Sequence, residues 1–138
     1  MYGLMILLAA AVTGCEKNGA DPLESLQGKC LQGKVITSWR CTSAVYVQLL
    51  NAKTGTSSTY NGKEYENLIL LSSLPDSIDL GTDFSRPFYF TIDTTKIFEN
   101  CTEFYPCQMT ALTPEPSPVP IKVCLKSASE TDCLSDTD

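Results

Sequence analysis

The chain has 138 residues, a formal net charge of −6, seven cysteines and no histidine. That length makes one domain. The acidity excludes the clustered Lys and Arg that nucleic-acid phosphates and anionic headgroups reward, and the missing histidine rules out Ser-His-Asp and Cys-His catalysis.

In chain order, the first informative stretch is Leu4-Met5-Ile6-Leu7-Leu8-Ala9-Ala10-Ala11-Val12-Thr13-Gly14-Cys15, an uncharged apolar run ending in small residues and one cysteine. It has the layout of a secretory signal peptide. It is too short for a membrane span, which needs about 20 apolar residues. Val12-Thr13-Gly14-Cys15 resembles the lipobox of bacterial lipoproteins. Met1-Tyr2-Gly3 carries no Lys or Arg, a departure from that family's basic leader. The resemblance implies cleavage before Cys15 and a diacylglycerol on its sulfur. It also implies a place on the cell envelope, at the outer membrane in preference to the inner one. Residues 1–14 then form the signal peptide, 15–27 the lipidated cysteine and a flexible tether, and 28–138 a single β domain. The polar stretch with Gly19 and Asp21-Pro22 suits a coil averaging about 20 Å end to end.

From Cys30 onward the pattern is that of strands. Residues 29–36 alternate, with Leu31 and Val35 on one face, and Gly33 on that face points to a bulge or a close backbone approach. Between Ser43 and Asn51, Val45, Val47 and Leu49 share a side. Ala52 to Gly62 reads as an exposed loop with at most a short strand. Leu68-Ile69-Leu70-Leu71 reads as a strand buried on both faces, with a buried helix as the alternative. Pro75 to Asp83 is turn chemistry. Phe88, Phe90 and Ile92 then alternate with Tyr89, Thr91 and Asp93, the cleanest strand signal in the chain. Phe104–Leu112 and Ile121–Lys126 complete the predicted strands. Between them, Pro114, Pro116, Pro118 and Pro120 fit a polyproline-like connector. The alternative is a protected edge strand pairing through Glu115, Ser117 and Val119. No apolar 3.6-residue period persists, so the expected fold is all-β: a small antiparallel barrel or sandwich, an OB-like barrel being one such form, stapled by disulfides.

With Cys15 taken by lipid, the remaining Cys30, Cys41, Cys101, Cys107, Cys124 and Cys133 read as the disulfide framework of an exported domain. Nearness in sequence favours Cys30–Cys41, Cys101–Cys107 and Cys124–Cys133, an order that strand neighbours can overrule. With no C-x-x-C pair and no histidine, a metal site is not expected.

No catalytic residue and no cofactor is expected either. Carboxylate pairs such as Glu64 with Glu66, or Asp76 with Asp79, read as solvated side chains. Asp76, Asp79 and Asp83 around Gly81 do not follow a calcium-loop spacing. Trp39, beside Arg40 in a turn, and Tyr60 in the polar loop are the candidate contacts for a glycan or an envelope protein. The pieces Gly28–Ile36, Tyr46–Asn51 and Phe88–Ile92 are also loosely similar to short lipoproteins of Bacteroidota type, a likeness that transfers no site. The expected function is that of a membrane-anchored, non-catalytic binding or accessory module. The alternatives are an envelope subunit and a carboxylate-based glycan hydrolase.

Overall fold

The computed structural model, which describes residues 23–107 and 114–133, contains six strands, most of them marked by alternating apolar residues. They are β1 (Leu31–Ser38), β2 (Val45–Leu49), β3 (Thr56–Tyr60), β4 (Lys63–Leu71), β5 (Phe88–Asp93) and β6 (Ile121–Ser129). One helical turn, α1 (Phe98–Cys101), lies between β5 and β6. The sheet runs β2-β1-β5-β6-β4-β3, and a further β2–β4 pairing closes five strands into a barrel with β3 outside it.

All pairs are antiparallel except β4–β6, where Ile69, Leu70 and Leu71 face Ile121, Lys122 and Val123 in parallel. The expected small all-β barrel is thus present, antiparallel but for that one pair. A parallel neighbour needs a long crossover, and residues 72–120, with β5 inside them, supply it. Counting barrel strands only, the order is first, second, third, fifth, fourth and back to first, an OB-like arrangement.

Leu31, Val35, Val47, Leu49, Ile69, Leu71, Phe88, Phe90, Ile92 and Val123 fill the barrel. Gly33 sits where no side chain fits. A Cβ there would collide with Val47 and lie 2.9 Å from the Phe90 ring. The close-approach reading is thus right, while the irregularity in β1 falls between Val35 and Thr37.

The folded unit starts earlier than expected. Leu26 is 1% exposed inside the core, Leu23 packs against it, and Gln27 accepts hydrogen bonds from the Thr94 backbone and hydroxyl at 3.0 and 2.7 Å. Residues 23–27, expected as the end of the tether, thus belong to the folded unit, and residues 15–22 lie outside the described ones.

The expected loop over 52–62 contains β3, closed onto β4 by Asn61-Gly62 with φ of 50° and 75°. Two consecutive positive φ values are what a tight hairpin requires. Of the strand expected over 104–112, the described part holds one bridge, Thr42 with Phe104. The proline-rich segment follows the edge-strand alternative at one position. Ser117 and Thr59 exchange backbone hydrogen bonds of 2.8 and 3.0 Å, and the Ser58 hydroxyl donates to the Pro118 carbonyl at 2.6 Å.

Gly33→Ala should therefore destabilise the fold by about 1–3 kcal/mol through overpacking. Urea unfolding, which reports the shift in midpoint, checks this.

Candidate functional site

Part of the outward face of β2 and β4 is also apolar. Tyr46 and Leu70, 1% and 0% exposed, form a second cluster with Ala44 and Phe98. In OB-like barrels the outer face of the second and third strands is a ligand surface. Here the chain's own β5–β6 connection covers part of it. Phe98 of α1 packs onto Tyr46 and Leu70, and Cys101 is bridged to Cys124 on β6 with a Cα–Cα distance of 5.9 Å.

Trp39 belongs to this outer layer. Its ring stacks on Phe98 at 6.1 Å and meets the Phe104 ring edge-on at 5.9 Å. Lys122 Nζ lies over both the Trp39 and Phe98 rings, at 5.5 and 5.6 Å from their centroids. The expectation of an exposed Trp39 is thus corrected to a half-buried ring with neighbours on several sides. Tyr60 ends β3 rather than lying in a loop, and it lines neither of the clefts described below.

The β1–β2 turn and the segment after α1 are laced together. Tyr105 N–H donates to the Cys41 carbonyl at 2.7 Å and Ser43 N–H donates to the Glu103 carbonyl at 2.9 Å. Glu103 N–H in turn donates to the Ser43 hydroxyl at 2.9 Å. Within the turn, the Thr42 hydroxyl donates to the Trp39 carbonyl at 2.9 Å and accepts from Ala44 N–H at 3.1 Å. A Cys41–Cys107 bridge, with Cα atoms 5.6 Å apart, closes the junction. The third bridge, Cys30–Cys133, joins the start of β1 to the chain beyond β6. The cysteines expected to form a framework do so, but all three pairings favoured by sequence proximity are overturned. Strand pairing brings residues 23, 66 and 103 positions apart together instead.

The lacing leaves two adjoining clefts. One of about 390 Å³ is lined by Trp39, Arg40, Thr42, Phe104, Tyr105 and Glu115. The other, of about 310 Å³, is lined by Ser43, Ser73, Asp76, Glu103 and Tyr105 among others. Phe104 and Tyr105 are 56% and 49% exposed, an unusual state for two adjacent large rings. The Tyr105 hydroxyl donates to Glu103 Oε2 at 2.6 Å. That bond, partial burial, and the charges of Glu103 and Asp76 raise its pKa.

Sequence reasoning singled out Trp39 and missed Phe98, Phe104 and Tyr105. The available signal for the last two was the adjacent aromatic pair between Cys101 and Cys107, in a stretch that reads as a strand by alternation alone. Glu64 and Glu66 lie exposed on β4. Asp79 is occupied by Arg86 at 2.8 Å and by the Gly81 N–H at 2.9 Å. Comparison with known proteins returns no matching family, no matching curated protein and no matching solved structure.

Tyr46 provides a spectroscopic handle on this layer. Burial first, and the nearby Glu115 charge second, push its pKa up to about 12. The folded value exceeds the unfolded one of about 10, so the stabilisation is complete below pH ~10 and lost as pH rises towards ~12. Stability should fall by on the order of 2–3 kcal/mol across that window. In Tyr46→Phe this part of the alkaline loss should disappear, as urea unfolding at a series of pH values would record.

Proposed function

We propose that this chain is a lipid-anchored, non-catalytic recognition module of the bacterial envelope that contacts its ligand through the aromatic rim between the β1–β2 turn and the β5–β6 connection. The single observation that carries the reading is the pair of half-exposed rings, Phe104 and Tyr105, held beside Trp39 by backbone lacing and the Cys41–Cys107 bridge. Interfaces concentrate energy in Trp, Tyr and Arg, and Trp39, Tyr105 and Arg40 line the same cleft. Loops held on a rigid barrel are suited to recognition.

Supporting the envelope setting are the lipobox-like Val12-Thr13-Gly14-Cys15 and a three-disulfide framework suited to an oxidising compartment. The proposed attachment is covalent lipid on Cys15, at the outer membrane. Nucleic acid is not a proposed partner. The net charge of −6 opposes it, and Phe98 occupies part of the outer strand face.

Two measurements test the reading. Growth of the host with a labelled fatty acid should mark the wild-type protein and leave Cys15→Ala unmarked; an unlabelled wild type would remove the anchor. On arrays of envelope glycans and peptides, Phe104→Ala should lose roughly tenfold in affinity while keeping its melting temperature. Unchanged binding by that variant would move the contact surface elsewhere.

A further inference from the structure

We propose that the two clefts act as one groove, with Tyr105 as their shared wall, and that the groove takes an uncharged or amino-substituted oligosaccharide. The inference deepens the reading of the rim as the contact surface and rests on it.

Tyr105 lines both clefts. On one side of it lie rings, Trp39 and Phe104, with Arg40 and Glu115. On the other lie the oxygens of Ser43, Ser73, Asp76 and Glu103, beside Leu74, Pro75 and Cys101. A pyranose has the matching duality, a C–H face that packs on an aromatic ring and an edge of hydroxyls that donate to carboxylates. Each cleft falls near the lower end of the roughly 300–1,000 Å³ range of small-ligand pockets. The groove thus suits successive rings of a chain better than one bulky ligand.

Acceptors remain available there. The Tyr105 hydroxyl uses its proton on Glu103 Oε2, which leaves lone pairs on the phenolic oxygen and on Glu103 Oε1. Asp76 makes no side-chain hydrogen bond among the described residues. Two carboxylates facing one tyrosine produce a negative local field, and the raised pKa of Tyr105 has that same cause among others. In the cleft of Asp76 and Glu103, as distinct from the one that Arg40 lines, such a field favours hydroxyls and ammonium groups and disfavours uronates and sulfated sugars.

An extended peptide is the competing occupant of an aromatic and acidic groove. Peptides captured by strand addition need free backbone groups. Here Ser43 N–H, Tyr105 N–H and the carbonyls of Cys41 and Glu103 are already paired with one another. A saccharide needs only the side chains.

Calorimetric titration of the full chain in detergent would use four probes: cellotetraose, a glucosamine tetramer, a galacturonic acid tetramer and a Lys-rich peptide. Cellotetraose and the glucosamine tetramer should bind, and the uronate at least about tenfold more weakly. Tyr105→Ala should weaken both sugars roughly tenfold, and Asp76→Asn should weaken the glucosamine tetramer more than cellotetraose. Both side chains are exposed, so both variants should keep the wild-type melting temperature. Failure of both sugars to bind, a preference for the uronate, or indifference to Tyr105→Ala would each overturn the proposal. Peptide binding that depends on Tyr105, with no sugar bound, would overturn the ligand class and leave the rim as contact surface. Sugar binding indifferent to both Tyr105→Ala and Phe104→Ala would overturn the two together.

Discussion

Five short strands in a small chain would leave two open edges, and the pairing of β2 with β4 joins them. Inside the closed barrel there is no room for a side chain at Gly33, which lies against Val47 and Phe90. Once closed, the barrel buries Leu31, Val47, Ile69, Phe88 and Phe90 almost completely. Leu26 from the incoming chain is part of the same core, and Leu74, Ile78 and Leu80 from the β4–β5 connection pack against it.

The same closure creates the outer layer. Where β2 and β4 carry Tyr46 and Leu70 on their outward face, those side chains need cover, and α1 with Phe98 supplies it. A single helical turn has too little hydrogen bonding to persist alone. The Cys101–Cys124 bridge fastens it to β6, and Lys122 on that strand adds a cation over the Trp39 and Phe98 rings. Each bridge is worth about 2–4 kcal/mol, comparable to a good part of a small domain's net stability. The chain therefore staples a layer that packing alone would hold weakly.

This layer also decides which side chains stay exposed. Covering the strand face moves the accessible chemistry outward, to the junction of the β1–β2 turn with residues 103–107. Backbone hydrogen bonds there hold Phe104 and Tyr105 in place while leaving them about half exposed. Rings fixed in advance lose little entropy on contact with a ligand, the condition under which exposed aromatics contribute most to binding. The neighbouring Asp76 and Glu103 add a polar, negative half to the same rim.

Much of the barrel was legible in the residue pattern, because inward and outward side chains alternate with period two. Phe88–Ile92, Val45–Leu49 and the run at Leu68–Leu71 all announce their burial locally. The residues of β3 allow no more than a short strand in an exposed loop, although Asn61-Gly62 marks its hairpin, because Ser and Thr there carry no apolar alternation. Disulfide partners were not legible, since which cysteines meet depends on strand neighbours far apart in the chain, such as Cys30 and Cys133. The same holds for the site. By itself, the sequence determined an all-β, disulfide-stapled domain with an acidic balance and no histidine. Only the tertiary structure decided that Trp39 would be packed, Phe98 covered, and Tyr105 left open between rings and carboxylates, because those outcomes come from contacts between segments about 60 residues apart.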